Sequence, residues 1–201
     1  WNTKDEKIIP GILSERNLQI NHRKTEEYMI DRTEIEWKTC RCLGSLLDSE
    51  EDLKRRKKLA VIAFNNLAKI WKDKKLKLDL KVWILNSLVS SVFLYNCELW
   101  NLTPAARSTV DVLQRNFLRK LMGIKWPVNI SNEDLYRKTR QTPWSDDVDR
   151  RRLRWFGHLI RLPGESPGRV ALDTSLHTKV KRQRGALKKT WISIVTSDLK
   201  N

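Results

Sequence analysis

The stretch "TPAARSTVDVLQRNFLRKLMG", residues 103 to 123, constrains this chain most. Thr103 is a helix-capping residue, Pro104 suits the first helical position, and Gly123 is a stop signal. Between them Val110, Leu113, Phe117, Leu118 and Leu121 recur at spacings of three and four. That is one apolar face of a helix, and such a face must be covered by other elements. Arg115, Arg119 and Lys120 lie elsewhere on the same helix.

Further helices follow the same logic. "SEED" at residues 49–52 reads as a capping box with Ser49 as N-cap and Asp52 in place of the usual Glu. Leu59, Ile62, Ala63, Asn66, Leu67 and Ile70 then form an apolar stripe, with Lys54, Arg55, Arg56, Lys57 and Lys58 around the first turns. A Lys-rich linker containing Lys72, Lys74, Lys75 and Lys77 leads to a helix over 79–100. Its apolar residues cover nearly all sides, so it is expected to be the buried, central one. "SNED" at 131–134 opens a short helix, and a longer one runs to Pro163 with Val148, Trp155, Phe156, Leu159 and Ile160 inward. Residues 163–169 read as a Pro/Gly loop, and a basic tract then leads into a last helix. Toward the amino end, a short helix over 5–17 is bent near Pro10-Gly11. Strands over 27–30 and 37–43 are joined by the turn 31–34. The fold class expected is therefore mainly α, a helical bundle with a small antiparallel β-hairpin near the amino end and a helical, basic C-terminal region.

Charge divides the chain into three. Residues 1–48 carry a net −1, residues 49–123 a net +8, and residues 124–201 a net +9. These are the expected regions: an amino-terminal β-containing part, a helical part and a basic helical part. A surface this basic fits nucleic acid as partner more than an acidic membrane. Apolar residues make up 40% of the chain, which excludes a disordered polyelectrolyte. The three Cys (40, 42, 97) and three separated His (22, 158, 177) fit neither a disulfide framework nor a zinc site, so no metal ligand is assigned. Reduced thiols and the lack of a signal peptide or long apolar run predict an intracellular chain with no membrane span. The chain opens on Trp1, as a piece of a longer protein would.

Five blocks, in order, resemble the reverse transcriptases of LINE-type, non-LTR retrotransposons. "NLQINHRKTEEYMI" is similar to the family's motif D, with Asn17 where Gly is usual and Leu18, Ile20, Asn21, Lys24, Thr25 and Met29 matching. "WKTCRCLGSLLDSEEDLKRRKKLAVIAFNNLAKIW" resembles motif E running into the thumb, with Leu43-Gly44 matching and Cys42 replacing Tyr. "SVFLYNCELWNLT", "RRRLRWFGHLIRLP" and "RGALKKTW" resemble later blocks of the family, the last with Ala186-Leu187 for Arg-Pro.

The resemblance implies a piece of an RNA-directed DNA polymerase: the last of the palm (1–48), the thumb (49–123) and a basic C-terminal region (124–201). It implies a catalytic-side role for Lys24, where a cation beside a departing pyrophosphate stabilises developing charge. Leu43 and Gly44 would form the primer grip. Lys54, Arg55, Arg56, Lys57 and Lys58 would hold duplex phosphates. Arg150, Arg151, Arg152 and Arg154, with Lys181, Arg182, Arg184, Lys188 and Lys189, would meet template RNA or target DNA. Trp155 and Trp191 stack on bases or sit in the core; Glu98 and Trp100 pack the thumb. The implied partners are RNA, DNA, RNA–DNA hybrid and the preceding part of the polymerase, acting in the nucleus. The parent enzyme needs Mg²⁺ held by paired carboxylates of motifs A and C. Those motifs precede motif D and are not in this sequence, so the chain alone is expected to have no cofactor and no catalysis. Asp146, Asp147 and Asp149 read as helix N-terminal charges rather than a metal site. A stand-alone basic helical module and an inactive mobile-element remnant remain as alternatives.

Overall fold

The computed structural model describes residues 14–19, 21, 23, 36–177 and 190–200. The chain forms two compact units, Trp1–Cys40 and Arg41–Asn201. In the first, a helical turn at residues 14–15 ends at Asn17, whose N–H donates to the Ser14 carbonyl. Asn17 takes φ +55°, the left-handed conformation. Gly enters it freely and Asn tolerates it. Glu36–Thr39 is a 3₁₀ turn rather than the expected strand. The expected strand at 27–30 and most of the helix over 5–17 lie outside the described residues.

The second unit opens with a hairpin. Strands β1 (Arg41–Cys42) and β2 (Ser45–Leu46) pair antiparallel, Arg41 opposite Leu46 and Cys42 opposite Ser45. The two-residue connection puts Leu43 at φ +48° and Gly44 at φ +84°. Two positive φ values make the primed turn that matches strand twist.

Helix α1 spans Ser49–Asn66 and α2 Ala68–Lys72. The N-cap of α1 is Asp48, not Ser49: its carboxylate accepts from the N–H groups of Glu50 and Glu51. Asp52, expected in the capping box, is buried instead. The inward stripe is Leu53, Arg56, Ala60 and Phe64, and Ile62 is exposed. Helix α3 runs over 78–93, with a π-helical stretch at Leu85–Ser90 between α-helical Leu78–Ile84 and Ser91–Phe93. It ends well before Trp100, which follows the 3₁₀ turn Cys97–Leu99. Val82, Leu85, Val89 and Phe93 are buried, but Trp83 is 64% exposed and Leu88 is exposed. The helix is therefore covered on one side, not all round.

Helix α4 (Pro104–Leu121) has Thr103 as its cap, the Thr103 hydroxyl accepting from the Ala106 N–H, and Gly123 past its end at φ +69°. All five expected inward residues are buried. Helix α5 (Asn132–Thr139) is capped by Ser131. Helix α6 (Trp144–Arg161) buries Trp144, Val148 and Arg152, while Trp155 and Ile160 are exposed. Helix α7 (Pro167–His177) starts within the segment expected to be a loop, with Pro167 in the first turn, where its missing N–H costs nothing. Helix α8 (Trp191–Asp198) is capped by Thr190.

A row of aromatic rings ties these helices together. Trp71 stacks on Phe64 (centroids 5.0 Å), Phe64 on Phe117 (4.5 Å), and Phe117 meets Trp144 edge-on at 6.1 Å. Trp144 stacks on Phe93 (5.0 Å), which meets Trp100 at 5.6 Å. The row links α2, α1, α4, α6 and α3, so the core does not part at residues 123/124. Nor does packing part the chain at 48/49: the hairpin belongs with the helices.

Candidate nucleic-acid interface

The basic run of α1 divides by helical phase. Arg56 falls on the stripe of Leu53, Ala60 and Phe64, so its side chain points inward and is only 6% exposed. There its Nη2 donates to the Gly44 carbonyl and to Ser45 Oγ (3.1 Å), and its guanidinium lies 4.5 Å over the Tyr95 ring. Arg55 Nη1 donates to the same Gly44 carbonyl at 2.9 Å. Tyr95 Oη donates to the Leu43 carbonyl at 2.9 Å. The Gly44 carbonyl is thus tied to α1 and the Leu43 carbonyl to Tyr95, just past the end of α3, while the Leu43 side chain is 85% exposed at the tip.

Asp52 is the anchor beneath. Its Oδ1 accepts from the Leu46 N–H and its Oδ2 from Trp100 Nε1, each at 2.9 Å. Its carboxylate lies 3.7 Å from Arg56 Nε and 4.0 Å from Arg55 Nη1. Burial pulls the Arg56 pKa down, and the Asp52 charge opposes that shift. Ser49 Oγ accepts from the Asn101 N–H, and Asn96 Nδ2 donates to Ser45 Oγ. Hairpin, α1 and the 94–101 segment are therefore one bonded assembly.

The lysines of the run face out. Lys54 is held by Glu50 (3.0 Å) and Glu51 (2.9 Å), which offset its charge and raise its pKa through hydrogen bonds, Glu51 foremost. Lys57 and Lys58 are exposed. Lys57 lines an open groove of about 210 Å³ between α1 and α4, with Ser108, Thr109, Val112, Leu113 and Asn116. The Thr109 hydroxyl donates to the Ala105 carbonyl, which leaves the Lys57 ammonium, the Ser108 hydroxyl and the Asn116 amide, with no carboxylate in the lining, to suit a phosphate. A larger cleft of about 560 Å³ includes Arg107, Asp149, Arg152 and Asp198. Its two guanidiniums face two carboxylates, so it offers a phosphate no net attraction.

The arginines of α6 divide in the same way. Arg152 is 0% exposed; its Nη1 bonds Asp149 (3.2 Å) and Asp198, and its Nη2 the Trp100 carbonyl (3.3 Å). It lies one turn on from Val148 and two from Trp144, the buried stripe of α6. Arg150 pairs with Asp147 on the surface, Arg151 is exposed with one donor on the Leu94 carbonyl, and Arg154 is exposed. Burial thus withdraws Arg56 and Arg152 from contact with a partner: Nη donors of each bond inside, while each Nε is buried without a hydrogen-bond partner. Lys81 is likewise internal, its Nζ donating to the Trp71 carbonyl at 2.8 Å. Lys72, Lys74, Lys75 and Lys77 are exposed. Lys24, Lys181, Arg182, Arg184, Lys188 and Lys189 lie outside the described residues.

Of the tryptophans, Trp191 donates to the Glu98 carbonyl at 2.8 Å and packs on Phe156, a structural placement. Trp155 is exposed and stacks on His158 at 5.3 Å. Sequence reasoning misses Tyr95 as the partner of Arg56; the signal is one polar-tipped aromatic within an apolar helix. Among the described residues no helix is long and apolar enough to cross a membrane. Comparison with known protein families, curated proteins and solved structures found no match.

Proposed function

We propose that this chain is the duplex-gripping, C-terminal part of an RNA-directed DNA polymerase of the non-LTR retrotransposon type. Thumb helix α1 holds phosphates of the primer–template duplex through Lys57 and Lys58, with Lys54 a weaker contact. The turn Leu43-Gly44 acts as the primer grip. One observation carries the reading: the Leu-Gly turn is bolted to the basic helix by Arg55 and Arg56, and to the segment after α3 by Tyr95. A grip and a thumb that share one strand of nucleic acid need a fixed relative position, and this bonding supplies it. Exposed Leu43, with both neighbouring carbonyls occupied, leaves only an apolar contact at the tip, suited to a sugar or base edge. The left-handed Asn17 where the family has Gly supports the same reading. Arg150, Arg151 and Arg154 form a second exposed cationic face for template or target.

The Mg²⁺ ions of such an enzyme do not fit these three carboxylates of α6. Asp147 is paired with Arg150, Asp149 with Arg107 (2.6 Å) and Arg152, and Asp146 lies 4.0 Å from Arg107. The contribution of this chain is therefore binding, with the carboxylates supplied by the preceding palm. A single core that runs from Leu53 to Val148 also favours the second reading, a module that folds and binds by itself.

Two assays on the chain test the proposal: anisotropy with a labelled RNA–DNA hybrid, and nucleotide incorporation on the same hybrid with Mg²⁺. The expected result is binding that weakens steeply with salt, and no incorporation. Failure to bind the hybrid at low salt would refute the reading.

A further inference from the structure

The segment between α4 and α5 is tied down at both ends and bare at its tip. At its start the Gly123 N–H donates to the Lys120 carbonyl (3.0 Å) and the Ile124 N–H to the Arg119 carbonyl (2.9 Å). At its end Arg119 Nη2 reaches Asn132 Oδ1 (2.8 Å) and the Ile130 carbonyl (3.4 Å). Ile124 and Ile130 pack against the core. Between these anchors the Val128 N–H closes a turn on the Lys125 carbonyl at 2.9 Å. Trp126 stands on that turn at 93% exposed, the most exposed large apolar side chain among the described residues.

Its surroundings select the partner. Residues 112–132 contain no Asp or Glu, and carry Arg115, Arg119, Lys120 and Lys125. An exposed indole among cations, with no acid in the segment, matches a base and its phosphates better than an apolar protein surface. Within a duplex both faces of a base are covered by its neighbours, whereas an unpaired base offers a free π-face to a ring standing clear of the surface. We propose that Trp126 is a stacking platform for an unpaired base of a strand leaving the duplex, with the neighbouring Lys125 for a phosphate. The proposal rests on the nucleic-acid reading above but not on the duplex grip itself.

The test uses the full chain, a blunt RNA–DNA hybrid, and hybrids bearing a short RNA or DNA overhang. Trp126→Ala should lower affinity for an overhang substrate about tenfold or more and leave the blunt hybrid unaffected. Trp126→Phe should recover most of that affinity, and thermal midpoints should not move, because the indole touches no core. Unchanged overhang affinity in Trp126→Ala, or an equal drop on the blunt hybrid, would overturn the proposal. Binding of overhang but not blunt substrate by the parent chain would sink the duplex grip and leave the stacking site standing. Blunt binding with no gain from either overhang would do the reverse.

Discussion

Arg56 and Lys57 are neighbours in sequence and opposite in placement, one buried and one exposed. The Arg56 side chain serves the hairpin, and removing it leaves the Gly44 carbonyl and Ser45 hydroxyl with fewer partners. Arg56→Ala should cost about 3 kcal/mol of stability, read by urea denaturation, as is typical of a broken buried ionic network. A cost near zero would mean that the turn is held without it. Leu43 sits at φ +48°, where a β-carbon is strained. Because its side chain is exposed, Leu43→Asn should raise stability by about 1 kcal/mol, since Asn tolerates that conformation. A lower urea midpoint in that variant would show that the leucine side chain stabilises the turn. The division between Arg56 and Lys57 is hard to read in the sequence: "KRRKK" looks uniform until the buried stripe of Leu53, Ala60 and Phe64 fixes the helical phase, and the groups that meet Arg56, Gly44 and Tyr95, lie outside the helix.

At the scale of elements, punctuation is easier to read than coverage. Thr103-Pro104 and Gly123 mark α4, and Ser131 marks α5, because caps act within a few residues. The outer side of α3 is where the sequence misleads: apolar residues all round a helix suggest burial, yet Trp83 and Leu88 face out because neighbours cover only one side. Helix α8 is held to α6 by Arg152 and Asp198, a partner 46 residues away that no spacing rule could reveal. Arg152→Met should destabilise the unit by about 3 kcal/mol and lower hydrogen-exchange protection of the Ile194 and Val195 amides. Retained protection would show that apolar packing alone docks α8. In the turn after α3, burial pushes the Cys97 thiol from 9.0 up to about 12. The folded chain therefore keeps its proton where the unfolded chain loses it. The contribution of this thiol is fully present below pH 9 and is lost between pH 9 and 12, with Tyr136, also raised by burial, acting in the same direction. The urea midpoint should drop from pH 8 to pH 10.5, and drop less in Cys97→Ala. An equal drop in both would show that Cys97 is not the source.

For the whole molecule, the helical class follows from periodicity, but the hairpin described, Arg41–Cys42 with Ser45–Leu46, is not the expected pairing of 27–30 with 37–43, of which 27–30 lies outside the described residues. The single core does not follow from periodicity, because the aromatic row joins α1 and α4 to α6 across the 123/124 charge boundary. Net charge marks partners rather than packing, so it divides the sequence where the fold does not. The candidate interface is legible in the sequence only as a set of cations; which of them face solvent needs the structure. The central claim is that Lys57 and Lys58, not the buried arginines, hold the duplex backbone. Its most direct test is the slope of log affinity against log salt for an RNA–DNA hybrid, in the parent chain and in Lys57→Ala/Lys58→Ala. Each phosphate neutralised by a side chain adds about one to the steepness, so the double variant should be shallower by about two. An unchanged slope would contradict the account and leave the cations of α1 as a solvated face.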